Sequence, residues 1–346
     1  ALKYDLSMTI PVSRTQPARG RLTASFTLRD TARSLAFDFA QPADRLLGVT
    51  ANGRAAAAGV QNGHIVIPSS GLVDGANVIT VEFLAGDDSL NRNDEFLYSL
   101  FVPARASLAI PCFDQPDLKA RWRLSLDIPP GWTAVSNGRE IGPSAPGQTG
   151  LAFEETPPLP TYLFGFAAGK FSVETAERQG RTFRMFHRET DAAKVARNRE
   201  AIFDLHARAL TWLEDYTGIP YAFGKFDFVL IPSFQFGGME HAGAIYYNAA
   251  GLLLDEAATQ NQLLGRASVI AHETSPMWFG DLVTMQWFND VWMKEVFANF
   301  MAAKIVNPSF PSVNHDLRFL FQNYPVAYDV DRTEGANPIR QELGNL

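Results

Sequence analysis

The residues of this sequence best suited to chemistry are a His-Glu pair, His272-Glu273, and two further carboxylates, Glu240 and Glu295. Imidazole and carboxylate are donors that a divalent ion such as zinc accepts. Metal-assisted hydrolysis also needs an open coordination position and a free carboxylate to take a proton from the bound water. When a second histidine follows four residues after the first, as in His-Glu-x-x-His, both imidazoles share one helical face and the glutamate reaches the water. Alone, a His-Glu pair carries almost no information.

The elements that must position these groups are legible from periodicity. Near residue 190 an apolar period of about 3.6 begins, with Thr190 or Asp191 as cap and Val195, Ile202, Leu205, Ala209, Trp212, Leu213 and Tyr216 on one face. Gly218 and Pro220 stop it. The pattern predicts strands over Phe226 to Ile231 and Gly243 to Asn248, with Phe234 to Ala242 as an irregular edge. Further helices are expected at about 260–275, carrying His272-Glu273, and at about 289–305, carrying Glu295.

Before residue 184 the period is two. Leu22, Ala24, Phe26 and Leu28 alternate with polar residues, as do Leu35, Phe37 and Phe39, the run Val78 to Phe83, and Trp122, Leu124, Leu126 and Ile128. Asn52-Gly53, Ser70-Gly71, Pro130-Gly131 and Asn137-Gly138 read as turns. The expected class is a β-rich N-terminal sandwich or saddle domain, 1–184, followed by an α+β unit, 185–346, with the change near Arg184. A chain of 346 residues with 46% hydrophobic residues and 26 phenylalanines can bury two cores. A net charge of -7 without basic clusters argues against nucleic acid or an anionic membrane as partner. No run is long and apolar enough for a membrane span. Cys112 is the single cysteine, which excludes an internal disulfide; it reads as a small buried hydrophobe.

Three stretches then carry a resemblance. The first runs His272-Glu273-Thr274-Ser275-Pro276-Met277-Trp278-Phe279-Gly280-Asp281-Leu282-Val283-Thr284-Met285 and on through Trp292-Met293-Lys294-Glu295. It resembles the zinc aminopeptidases related to aminopeptidase N and leukotriene hydrolase, the gluzincin type, whose motif is His-Glu-x-x-His, eighteen residues, then Glu. Residues 277 to 294 supply that gap. Gly237-Gly238-Met239-Glu240-His241 is similar to the family's Gly-x-Met-Glu-Asn motif, with His241 in the Asn place. Pro111-Cys112-Phe113-Asp114-Gln115-Pro116, with Lys119-Ala120 and Ser136-Asn137-Gly138, resembles the family's N-terminal signature.

The resemblance implies a thermolysin-like catalytic unit, of which this chain supplies the first part, and removal of N-terminal residues from peptides. By it His272 and Glu295 would bind one zinc ion, and Glu273 would be the general base. Glu240 would hold the substrate's free α-amino group, and Gly237, Gly238 and Met239 would line the peptide as an added strand. Asn299 would support the metal from behind. The implied partner is a peptide with a free N-terminus.

Two features depart from the pattern. Pro276 stands where the second histidine belongs, and proline has no lone pair for a metal. Its ring meets the carbonyl of His272, so a kink is expected on that turn, with Ser275 pushed from α geometry. The oxyanion tyrosine and helical C-terminal region of the family would lie beyond Leu346. A second reading is therefore a non-catalytic binder of peptide N-termini, and a third is a partial or altered form of an active parent. Plainer readings also stand: His272 in a core, Glu295 on a helix surface, Glu240 paired with a neighbouring cation, His241 either orienting the glycine-rich edge or replacing the lost ligand. The cluster Trp278, Phe279, Trp287, Phe288 and Trp292 reads as core. The start at Ala1 slightly favours an exported location over the cytoplasm.

Overall fold

The structure, a computed structural model, describes residues 2–143 and 150–344. Its N-terminal part is built from period-two strands. In Ala120–Asp127 the even positions Ala120, Trp122, Leu124 and Leu126 are buried, and in Gly75–Leu84 the odd positions Ile79, Val81 and Phe83 are. Each strand thus offers one apolar face.

These strands lie in an eight-stranded sheet in the order Glu140–Pro143, Leu151–Phe153, Ala120–Asp127, Leu2–Thr9, Arg19–Leu28, Gly75–Leu84, Leu46–Ala51 and Arg54–Ala55. All neighbours are antiparallel except one pair: Leu2–Thr9 runs parallel to Ala120–Asp127. A four-stranded and a three-stranded sheet complete this β-rich part. Aromatic rings interlock in its core. Trp122 stacks on Phe164 with centroids 4.1 Å apart, and Tyr4 lies 4.4 Å from Trp122 while its hydroxyl accepts the Phe113 N–H. Cys112 is fully buried among them.

The expected turns all join strands, in different ways. Asn52-Gly53 closes a two-residue hairpin with both φ positive, at 51° and 79°, the geometry that favours Asn and Gly. Pro130-Gly131 instead leads from one sheet to another, and Ser70-Gly71 lies in a single 3-10 turn, Ser69–Gly71. Asn137-Gly138 makes the bend between Thr133–Ser136 and Glu140–Pro143, inside the protein. Asn137 is buried, and a Cβ on Gly138 would stand 2.1 Å from the Glu154 carbonyl oxygen.

A five-stranded sheet follows, in the order Ser172–Arg178, Arg181–His187, Phe226–Ile231, Ala244–Asn248 and Gly238–Met239. It is mixed: the two pairs involving Phe226–Ile231 are parallel, the outer two antiparallel. Arg184 lies inside its first hairpin, so the hydrogen-bonded sheet begins at Ser172, earlier than the change expected at 184.

Six helices are described. Helix α1 spans Ala192–Thr217, α2 Ala249–Leu252, α3 Gln260–Thr274, α4 Val291–Val306, α5 His315–Gln322 and α6 Tyr324–Asp331. The Asp191 side chain caps α1 by accepting from the N–H groups of Ala193 and Lys194, and Gly218 ends it at φ 66°. Its inner face includes Val195, Ile202, Ala209 and Leu213 as expected, together with Phe203, His206 and Leu210; Tyr216 is exposed. Helices α5 and α6 bury none of their residues. Among the described residues no helix is long and apolar enough to cross a membrane.

One side chain that ties the β-rich part to the five-stranded sheet is Asn137. Asn137 Nδ2 donates to the carbonyls of Leu163 and Ala242, both at 2.9 Å, while its Oδ1 accepts from the Gly165 N–H at 2.8 Å. Asn137→Ala would leave these three backbone groups unpartnered. The expected loss is about 1–3 kcal/mol in urea unfolding, with an unchanged m value; an unshifted midpoint would show that water replaces the side chain at no cost.

Candidate active site

Helix α3 is fixed at its start by a reciprocal cap. Thr259 Oγ1 accepts the Gln262 N–H, and Gln262 Oε1 accepts the Thr259 N–H at 2.8 Å. Its buried residues Leu264, Ala267, Ile270 and Ala271 then carry the helix inward to His272 and Glu273.

Pro276 does less to the backbone than the sequence suggests. The α-helix closes at Thr274 and passes into a 3-10 turn, Ser275–Met277, with proline in its first positions, where no N–H is required. Ser275 keeps helical geometry, φ -64° and ψ -39°, contrary to expectation. Its N–H bonds to both the Ala271 and His272 carbonyls, so the His272 carbonyl is satisfied and no kink falls on the turn carrying the imidazole.

Successive residues on a helix point about 100° apart, so neighbours in sequence serve different surfaces. His272 turns toward α4: its Nδ1 lies 3.1 Å from Asn299 Oδ1 and its Nε2 3.4 Å from Glu295 Oε2. Glu273 turns to the sheet edge and is buried. There it packs on Gly238, where a Cβ would stand 2.4 Å from Glu273 Cγ and 2.6 Å from its Oε1. Only glycine leaves room for that carboxylate.

Gly238 and Met239 pair antiparallel with Tyr247 and Tyr246, and the Gly237 carbonyl accepts the Asn248 N–H. Gly237 is exposed, Gly238 partly so, Met239 buried. The chain then turns in, and Glu240 is buried. Its Oε1 accepts a hydrogen bond from the Lys294 ammonium, which reaches over from α4. Lys294 is buried too, 3.2 Å from Glu295 Oε1 and 5.3 Å from the centre of the Tyr162 ring. The plainer expectation, that Glu240 pairs with a cation, describes this arrangement.

Electrostatics follow from burial and partners. Burial opposes charge on His272, but the hydrogen-bonding Glu295 carboxylate, with Glu273 and Asn299, outweighs it and raises the imidazole pKa to about 9. Burial likewise opposes charge on Glu295, yet its bond to His272 and the Lys294 ammonium lower it to about 2. Glu273 is pushed upward by burial. Lys294 is held protonated against its burial chiefly by Glu240. The Asp281 carboxylate is fully buried with neither oxygen hydrogen-bonded; burial and then Glu240 raise its pKa.

The donor set does not fit a catalytic zinc ion, which takes three protein ligands and one open position. His272 and Glu295 converge, and Pro276 adds no donor. Among the described residues no group of three or more His, Cys, Asp or Glu side chains is placed to hold a metal ion. His241 does not replace the missing histidine. It is buried against Gly165 and the Tyr246 ring, and burial followed by the Lys294 charge lowers its pKa to about 3. Of the aromatic cluster, Trp278 and Phe288 are core, while Phe279, Trp287 and Trp292 are half-buried.

The matches to known proteins run over both parts of this architecture. The Peptidase M1 N-terminal domain matches residues 87–163 and the Peptidase family M1 domain residues 202–346. The chain belongs to peptidase family M1. The curated relatives it matches are named aminopeptidases, and the family depends on zinc. It is 33% identical over 261 residues to puromycin-sensitive aminopeptidase of Caenorhabditis elegans, covering 74% of this chain and 27% of that protein. Leucyl aminopeptidase of Saccharolobus solfataricus is 32% identical over 267 residues, 77% of this chain and 34% of that one. Aminopeptidase N of Lactococcus lactis is 34% identical over 250 residues, 68% and 28%. The chain thus spans about a quarter to a third of the length of these M1 relatives.

Lys294, Tyr162 and Asp281 were not singled out by the sequence reading. The one available signal was a lysine immediately before Glu295, and nothing in the sequence ties it to Glu240, 54 positions away.

The charge pair yields a titration prediction. In chelator-treated protein the His272 ring should stay protonated through neutral pH and titrate near 9 by NMR, falling toward the ordinary 6.5 in Glu295→Gln. The sign for stability follows. The raised His272 pKa contributes fully below about 6.5 and is lost as pH climbs through 9; the lowered Glu295 pKa contributes above about 4.5 and is lost as pH falls through 2. A ring already neutral at pH 7 would contradict the pairing.

Proposed function

We propose that this chain is an M1 unit laid out for zinc-dependent removal of N-terminal residues from peptides, and that as it stands it recognises peptide N-termini without hydrolysing them. The observation that carries the reading is the two-donor centre: His272 and Glu295 meet at 3.4 Å, and Pro276 occupies the place of a third ligand.

The remaining parts support recognition. The strand Gly238–Met239 ends the five-stranded sheet, so its outer edge can take an extended peptide as an added strand. Glu240, just past that edge, is a buried carboxylate suited to a cationic amino group. Glu273 is a buried carboxylate whose raised pKa suits proton exchange near neutral pH, as a general base requires. The relatives named aminopeptidases point the same way.

Purified chain should contain far less than one zinc per molecule by mass-spectrometric elemental analysis, and should release no product from aminoacyl p-nitroanilides. Pro276→His should raise the zinc content toward one. Stoichiometric zinc in the unaltered chain would overturn the two-donor reading. Gly238→Ala should displace Glu273 and weaken binding of peptides at the edge, measured by calorimetry; unchanged affinity would remove the edge strand from the site.

A further inference from the structure

We propose that Lys294 decides what the Glu240 site admits: its ammonium occupies Glu240 as an internal stand-in for a peptide α-ammonium, and a peptide N-terminus binds only by displacing it. The inference rests on the reading of Glu240 as the amine-recognising carboxylate.

A lysine side chain and a peptide N-terminus present the same group, a primary ammonium with three N–H donors and one positive charge. In this structure that group already donates to Glu240 Oε1 from inside the protein. The seat is specific. Lys294 is 7% exposed, and its stem passes so close to Gly280 that a Cβ there would stand 2.8 Å from Lys294 Cδ. The Tyr162 ring lies 5.3 Å from the ammonium on another side. Glu295, with its side chain 48% exposed, offers a second carboxylate 3.2 Å away, on which the ammonium can rest when it leaves Glu240. The tether makes the competitor intramolecular, present at a high effective concentration that a free peptide must overcome.

The experiment is calorimetric binding of trialanine amide and its N-acetyl form to the full chain. Lys294→Gln keeps a hydrogen-bond donor near Glu240 without the charge. It should bind the free-amine peptide about tenfold tighter or more than the unaltered chain does, with no change for the acetylated form. Adding Glu240→Gln should abolish the gain. Lys294→Met serves as a second variant if Lys294→Gln loses its near-ultraviolet circular dichroism. Equal affinity of unaltered chain and variant, with Glu240→Gln weakening both, would overturn the role of Lys294 and leave Glu240 as the amine site. No preference for the free amine in any protein would overturn both. If both lysine variants unfold, Lys294 is a structural neutraliser and the proposal fails.

Discussion

Three carboxylates, Glu240, Glu273 and Asp281, are buried behind one sheet edge, and the ammonium of Lys294 stands among them. Ions removed from water must be paired or neutralised. Lys294 bonds to Glu240, and the other two carboxylates have their pKa values raised by burial. The Lys294–Glu240 bond ties α4 to the segment just past the edge strand.

Glycines make the arrangement possible by their missing side chains. Gly238 admits the Glu273 carboxylate, Gly280 admits the lysine stem, and Gly165 admits the His241 ring. In each case the glycine lies far along the chain from the group it accommodates. The N-terminal signature is explained in the same way. Asn137 bonds the carbonyl just after His241, and Lys119 Nζ donates to the carbonyls of Asp281 and Leu282, so two motif residues of the β-rich part hold loops that flank the site.

Pro276 separates geometry from chemistry. The fold absorbs it by ending α3 at Thr274, two residues past His272, and tightening into a 3-10 turn, so His272 still meets Glu295 and Asn299. A donor cannot be restored by such adjustment. The backbone therefore still brings His272 and Glu295 together, and the two side chains form an ion pair.

The sequence by itself determined the elements and the lineage. Period-two alternation in runs such as Ala120–Asp127, the capped helix after Asp191, and the spacing from position 276 to Glu295 are local properties, and short-range sterics and side-chain alternation express them without help from distant residues. The bend at Asn137-Gly138 was legible, but not that its asparagine would answer to Leu163, Gly165 and Ala242. Tertiary structure alone decided that Glu240 is already bound, that Ser275 stays helical beside a proline, and that His241 lies apart from the imidazole of His272. Each depends on contacts between segments distant in sequence, or on how a helix end shares its hydrogen bonds, and a linear pattern records neither.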